Sequence, residues 1–409
     1  MERCPEAVAL RLAAAPALLA GAWVAACAAL PRREAVPPDL TERAAIPGLP
    51  GVRIWPDRDL GPFIQAIVED TRREIEALKR EGKPAEPLPP ANVLAISGGG
   101  DDGAFAAGVL CGWTAHGDRP EFKVVTGVSV GALIAPFAFL GPRYDDVLRG
   151  VATSIGPADV LRERNTLVGL MSDGMASSEP LGRLVAKYVT RDLLAAIARE
   201  WERGRVLQVG TTDLDAGRQV IWNLGAIAAS GAPGALDLFR RVLVASSSIP
   251  GAVSPVLFDV EVRGRRYQEM HVDGGVISQA FLYPSAMLAE LEKATGRPLQ
   301  REIHSWVIRN GRLDPEWSDT QRHTLAIGER SIRVLVQTQG INDVYRLYQI
   351  ARHDGADFHL AYIGSDFQHP HPEDFDAGYM RAIFEYGYDL GSKGRAWHKA
   401  PPEEGAAGP

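Results

Sequence analysis

From Asn92 onward the chain alternates short apolar runs with longer stretches whose apolar residues recur at helical spacing. The short runs predict strands at 92–97, 121–128, 205–213 and 218–223, with further strands near 253–260, 266–272, 303–309 and 358–363. The longer stretches predict helices at 103–117, 130–140, 178–203, 234–247, 318–338 and 373–392. Asp215 and Gly217 mark a tight turn between two of the strands. Strands alternating with helices in this way predict an α/β sandwich around a mixed sheet. Upstream, Phe63, Ile64, Ile67, Val68, Ile75 and Leu78 recur near the helical period before Gly82, so 57–82 reads as a helix. The proline and glycine content of 31–56 predicts an extended tether, and the polar, small-residue composition of 396–409 predicts a disordered tail.

The N-terminus breaks this pattern. Residues 12–30 carry no charge, and Arg3 and Arg11 precede them among Glu2 and Glu6. A charged start followed by an apolar run has the layout of a targeting segment. Its end, "VAAC" at 24–27, resembles a bacterial lipoprotein signal, which would place a lipid on Cys27 and a membrane-anchored protein on the periplasmic side of the cell envelope. Ordinary cleavage to a secreted or periplasmic protein, an uncleaved anchor, or an amphipathic start fits the same residues. Residues 1–27 are thus a leader, and 28–91 hold the tether and the first helix.

Composition narrows the function. The 409 residues are 46% hydrophobic and 23% charged, enough for a large core, and the net charge of −7 argues against a nucleic-acid binder. Cys4, Cys27 and Cys111 have no metal-ligand spacing, and Cys111 stands alone once the leader is set aside.

Two glycine-rich turns carry the candidate chemistry. "NVLAISGGGDDGAFAAGVL" reads as strand, loop and helix, with Gly98, Gly99, Gly100 and Gly103 in a G-x-G-x-x-G pattern. Consecutive backbone N–H groups converging at a helix start can hold a phosphate or the oxyanion of a tetrahedral intermediate. A phosphate-binding P-loop would end in G-K-[ST], and "GAF" follows here instead. A dinucleotide site would carry an acid at the end of the second strand, but that strand runs into "GVSVG". Ser129 stands there between Gly127 and Gly131, after a strand and before a helix, as in a nucleophile elbow.

A serine nucleophile needs a base. His304, His323, His353, His359, His369, His371 and His398 lie downstream in the order of a Ser-His-Asp hydrolase, yet only one core strand precedes the serine's own, fewer than that fold places there. Asp273 in "VDGGV" ends an apolar strand before Gly274 and Gly275, and a buried carboxylate can take a serine proton directly. On spacing alone, a simple strand-ending D-G turn is the better explanation of Asp273.

"SGGGDDGAFAAGVL", "GVSVG", "ASSSIPGAVSPV" and "VDGGV", in that order over 92–285, resemble the patatin-like phospholipases, as does "FEYGYDLG" near the C-terminus. The resemblance implies a three-layer α/β/α sandwich with a mixed, mainly parallel sheet, forming a catalytic domain over 92–395. It implies a serine–aspartate dyad, with Ser129 as nucleophile and Asp273 as base, acting on lipid or fatty acyl esters without metal or other cofactor. The N–H groups of Gly98, Gly99 and Gly100 would form the oxyanion hole. The partners implied are a lipid or acyl-ester substrate and, through Cys27, a membrane surface. The family has Arg or Lys before the loop's last glycine, where this chain has Asp102, with Asp101 beside it; two carboxylates there oppose oxyanion charge unless they point to solvent.

The remaining features read as structure. His271 is expected to be packed, His369 and His371 to lie in a surface loop, and Asp213 and Asp215 to form a turn. Trp201, Trp222, Trp306, Trp317 and Trp397 are expected in the core or at its rim. "ASSSIPG" is expected to close a helix beside the site, and Met171 and Met175 to pack in the core or line an acyl pocket.

Overall fold

The computed structural model describes residues 30–57, 61–163, 172–282, 292–293 and 301–402. Nine strands form one sheet. In chain order they are β1 (Arg53–Ile54), β2 (Ala91–Ile96), β3 (Val124–Val128), β4 (Val206–Asp213), β5 (Arg218–Asn223), β6 (Val256–Val262), β7 (Arg265–Asp273), β8 (Ile303–Arg309) and β9 (Asp357–Tyr362). The main helices are α1 (Gly61–Arg80), α2 (Gly103–His116), α3 (Val130–Leu140), α4 (Asp145–Ser154), α5 (Glu179–Tyr188), α6 (Arg191–Glu202), α7 (Leu224–Ala229), α8 (Ala235–Ser246), α9 (Thr324–His353) and α10 (Ala377–Ser392).

The sheet runs β1-β5-β4-β3-β2-β8-β9. From β4 to β9 neighbours are parallel; β1, β5, β6 and β7 join by antiparallel pairing. Side chains alternate across it, as the pleat requires. Leu94 and Ile96 enter one apolar core with α2, α3, α6, α8 and α10; Val93 and Ala95 enter a second with Phe63 of α1 and Val344 and Leu347 of α9. Two cores on opposite faces make the three-layer α/β/α sandwich that was expected.

The tightest helix pair is α2 against α10. A Cβ added at Gly108 would lie 2.1 Å from the Phe384 carbonyl oxygen, and one at Gly387 would lie 2.5 Å from that of Phe105. Gly112 and Gly391 repeat the arrangement one turn on. The two backbones touch, which explains the glycines of "FEYGYDLG" and fixes α2 against the C-terminal helix.

Several expectations change. Residues 31–56 are not an extended tether: Val36, Leu40, Ile46, Val52 and Trp55 are buried in the larger core, and β1 pairs with β5. Arg32 is ion-paired with Asp215, and Arg53 with Glu269. Residues 396–402 are not a free tail: Ala396 and Pro401 are buried, and His398 exchanges backbone hydrogen bonds with Leu360; 403–409 lie outside the described residues. The helix expected over 178–203 is two, broken where the Thr190 hydroxyl caps α6 by accepting from the Leu193 N–H at 3.3 Å. The helix expected over 318–338 starts at Thr324 and runs on to His353, with Gly340 inside it where a Cβ would meet the Arg309 guanidinium at 2.5 Å. α4 and α7 escaped the periodic reading because each is short.

The expected leader and Cys27 lie outside the described residues. Among the described residues no helix is long and apolar enough to cross a membrane.

Gly108→Val is expected to destabilise the fold by about 1–3 kcal/mol, because the added side chain meets backbone that cannot turn away. Thermal unfolding reads this as a lowered Tm.

Candidate active site

β4 brings the two distant motifs together. One edge of β4 pairs with β5. On the other edge, β3 pairs in parallel with its first half, ending at Val128 opposite Gly210. The end of β7 pairs antiparallel with its second half, Asp273 lying opposite Thr211. Two strands therefore meet end to end on one edge, and the residues that leave their tips, Ser129 and Asp273, face one another.

Ser129 sits in a strained turn, with φ 56° and ψ −127°. A non-glycine residue rarely adopts positive φ, and the surroundings must hold it there. Gly127 and Gly131 allow this: a Cβ on Gly127 would lie 2.4 Å from the Gly131 carbonyl oxygen, and one on Gly131 would lie 2.2 Å from that of Ile96. The Ser129 N–H donates to the Ser246 hydroxyl at 3.0 Å, which in turn donates to the Gly210 carbonyl at 2.7 Å. Ser246 at the end of α8 is wholly buried, so this link ties the turn to β4.

Asp273 is 5% exposed. Burial pushes its carboxyl up to about 6; a hydrogen bond from the Ser129 side chain and one from the Gly275 N–H pull it back down. The Gly275 bond is 2.7 Å, and the Asp273 N–H donates to the Ser248 carbonyl at 2.9 Å. A Cβ on Gly274 would strike the Gly210 carbonyl at 2.4 Å. "ASSSIPG" thus lies beside the site, as expected, with Ser246 holding the serine's backbone and Ser248 the aspartate's.

Among the described residues no histidine is hydrogen-bonded to Ser129. His271 is packed, with Nδ1 on the Thr211 hydroxyl at 2.9 Å and Nε2 on Glu269 at 3.2 Å. His371 bonds Asp101 at 2.7 Å, and His369 bonds the Pro370 carbonyl. His304 and His359 lie near Asp357, at the opposite end of the strands from Ser129. His398 pairs through its backbone with Leu360; His353 sits beside Asp354 and His323 beside Gln321.

The glycine loop follows β2 beside Ser129. Gly98, expected to offer its N–H to an anion, gives it to the Gln279 carbonyl at 3.0 Å. Its missing side chain has a different use: a Cβ there would lie 3.2 Å from Ser129 Cβ and 2.3 Å from Gln279 Oε1. Gly99 (φ 155°) and Gly100 (φ 61°) occupy backbone space open chiefly to glycine, and their N–H groups have no acceptor among the described residues. A Cβ on Gly103, at the start of α2, would strike Val130 at 2.2 Å.

Asp101 and Asp102 are held away from the loop by partners and do not point to solvent. Asp101 accepts from His371 and from the Phe375 N–H, both at 2.7 Å; Asp102 accepts from the Tyr379 hydroxyl at 2.5 Å. Asp101 raises His371 above the usual histidine range. A further cation reaches the loop from the end of β8, where buried Arg309 donates to the Gly98 carbonyl at 3.3 Å. Asn310 clamps the same loop, donating to the Ser97 carbonyl at 2.8 Å and accepting from the Ala106 N–H of α2 at 3.2 Å.

The sequence reading missed Arg309, Asn310, Gln279 and Asp343. Asp343 accepts from the N–H groups of Gln279 and Ala280, at 2.6 and 3.3 Å. These residues act through tertiary contacts that no local spacing encodes; polar residues closing an apolar strand, as in "WVIRN", are the one available signal.

Asp213, Glu269 and His271 are close enough together to hold a metal ion. Arg53 pairs with Glu269 from within that cluster, and the Asp213 carboxylate accepts from the Asp215 and Ala216 N–H groups at 2.9 and 3.3 Å in the expected turn. Burial would raise Glu269, but Arg53 and His271 outweigh it and hold the carboxyl at about 2. Burial raises the Asp213 carboxyl. Met175 is half-buried and gives its N–H to the Gly251 carbonyl at 3.0 Å; Met171 lies outside the described residues.

Residues 94–284 match the family described as patatin-like phospholipase. No curated protein matches the chain. Among solved structures, twelve chains match. One is VipD from Legionella pneumophila, 11% identical with a TM-score of 0.34, covering 75% of this chain and 66% of that one. This chain therefore spans a little under two thirds of that protein's length.

Ser246→Ala is expected to leave the Ser129 N–H buried without an acceptor, costing about 1–3 kcal/mol in urea unfolding. Asp273→Asn is expected to have the opposite sign. The folded-state pKa of Asp273 is raised, so its stability is fullest below about 3.8 and is lost as pH rises through about 6. At neutral pH the ionised group costs roughly 3 kcal/mol, at about 1.4 kcal/mol per unit. The asparagine variant should be more stable than wild type at pH 7, with the gap closing as pH falls toward 4.

Proposed function

We propose that this chain, a member of the patatin-like phospholipase family by residues 94–284, hydrolyses acyl esters of lipids through a Ser129–Asp273 dyad and an acyl-enzyme. The family supports lipid acyl hydrolysis in general. The observation that carries the finer reading is the meeting of Ser129 and Asp273 on one edge of β4, with no histidine hydrogen-bonded to the serine among the described residues.

In this reading Ser129 Oγ attacks the ester carbonyl carbon as Asp273 takes its proton. A carboxyl poised at about 6 is ionised at neutral pH yet is a stronger base than an ordinary aspartate. The N–H groups of Gly99 and Gly100 stabilise the oxyanion, with the start of α2 behind them. Asp101 and Asp102, bound to His371, the Phe375 N–H and Tyr379, are kept from opposing that charge. As the tetrahedral intermediate collapses, Asp273 returns the proton to the leaving alcohol. Water then attacks the acyl-serine and gives its proton to Asp273, which passes it to Ser129 Oγ as the fatty acid is released. Lipidation at Cys27, on the strength of "VAAC", would place this chemistry at the membrane of the cell envelope on its periplasmic side.

A fluorophosphonate probe is expected to label wild type at Ser129 and to leave Ser129→Ala unlabelled. With p-nitrophenyl acyl esters, Ser129→Ala and Asp273→Asn should each lower kcat by roughly 10^4-fold. Replacing His304, His323 or His369 should not. Because the base must be ionised, kcat/KM should rise with pH through about 6 and then level off. Absence of turnover in the wild type, or loss of activity on replacing one of these histidines, would overturn the dyad.

A further inference from the structure

α9 is too long for the sheet it covers. Its 30 residues extend about 45 Å at 1.5 Å per residue, against about 20 Å for the six residues of β9. The half that packs begins at Gly340, against Arg309 at the end of β8, and continues through Val344, Leu347 and Ile350. Gln339 donates to the Ile277 carbonyl at 3.0 Å, just past the Asp273 turn. Residues 324–339 therefore project beyond the strand ends at which Ser129 and Asp273 lie. No described side chain among them is buried.

This overhang is apolar. Ile327, Val334 and Leu335 share one helical face at i, i+7 and i+8, with Ile332 on its flank, and are 49%, 43%, 69% and 48% exposed respectively. Trp317, expected in the core or at its rim, is 89% exposed in the segment that leads into the helix. Ile249 and Val276, on either side of the Asp273 turn, are also exposed, as is Leu214 beyond the end of β4. Beside Leu214, Arg32 holds Asp215 at 2.6 Å, and the described chain begins two residues earlier at exposed Leu30. The eight from Leu214 to Leu335 account for all but Leu30 and Val68 of the large apolar side chains exposed among the described residues.

We propose that this edge, with the first half of α9 at its centre, is a docking face for a lipid bilayer surface. The choice of a bilayer rests on the reading of the site as a lipid hydrolase, because the apolar face adjoins the site's mouth. It rests also on where the described chain begins, at exposed Leu30 close to the Arg32–Asp215 pair beside Leu214. Trp317 and the isoleucines enter the boundary between headgroups and acyl chains, as amphipathic interfacial helices do. Charge contributes little: over residues 312–339 four arginines are matched by four carboxylates, Asp314, Glu316, Asp319 and Glu329, and Arg333 pairs with Glu329 and Asp374. Docking therefore depends weakly on salt and needs no anionic lipid.

The test uses full-length Ser129→Ala protein, so that no lipid is consumed, with vesicles of phosphatidylcholine and phosphatidylethanolamine carrying spin-labelled acyl chains. The quenched tryptophan emission that is lost in Ser129→Ala/Trp317→Phe belongs to Trp317, and we expect it to be present and insensitive to salt. In the active chain, Ile327→Asp/Leu335→Asp should lower hydrolysis of vesicle phospholipid roughly tenfold or more, since two apolar anchors are lost from the interface. It should leave the rate on a soluble short-chain ester unchanged. An unquenched Trp317, equal losses on both substrates, or burial of Trp317 by self-association in sedimentation without lipid would each overturn the proposal. An enzyme inactive on both substrates would remove the hydrolase reading, and the quenching would still decide the docking face.

Discussion

The structure depends on how one strand divides its edge. β4 is eight residues long, and neither β3 nor β7 covers it alone. β3 takes Val206 to Gly210 and β7 takes Thr211 to Asp213, so the two strand tips must abut. A serine leaving one tip and a carboxylate leaving the other then meet without any loop having to be ordered for the purpose. Sites carried by regular elements hold their geometry more closely than sites on loops, because ladder hydrogen bonds fix both partners at once.

The cost of that placement falls on the same two residues. Ser129 occupies strained backbone space, and Asp273 is a carboxylate deprived of water. Each is compensated locally. Ser246 satisfies the serine's N–H, Ser248 the aspartate's, and Gly275 supplies the carboxylate with one donor. That donor and the Ser129 hydroxyl together do not offset burial, so the carboxyl stays above its ordinary range. Farther back along β7, buried Glu269 pairs with Arg53 and bonds His271. Two acids on one strand thus have opposite environments, Glu269 held near 2 and Asp273 near 6, and only the second can exchange a proton near neutral pH.

Much of this was legible in the chain. Alternating apolar strands gave the layers, and "GVSVG" and "VDGGV" gave the two tips, because a backbone approach closer than a Cβ allows can be made only by glycine. What was not legible follows from the same physics. Residues 31–56 look like a linker by proline and glycine content, yet Val52 and Trp55 are buried because β5 would otherwise expose a sheet edge. Gly98 looks equivalent to Gly99 and Gly100, but the Gln279 carbonyl has taken its N–H. The aspartates of the loop looked hostile to an oxyanion until His371 and Tyr379, 270 and 277 residues away, accounted for them.

Those distant partners indicate why the C-terminal helix matters to a site made of residues far upstream. α10 touches α2 backbone to backbone through Gly387 and Gly391, and its first turn holds Asp102 through Tyr379. α2 begins at the last glycine of the loop, so any shift of α10 moves the N–H groups of Gly99 and Gly100 relative to Ser129. Asn310 restrains the same loop from β8. The loop itself, rich in glycine and with two residues at positive φ, has no rigidity of its own. Its shape is imposed by a helix and a strand that enter the sequence some two hundred residues or more later, so a folded glycine loop here requires the C-terminal half of the chain to be docked.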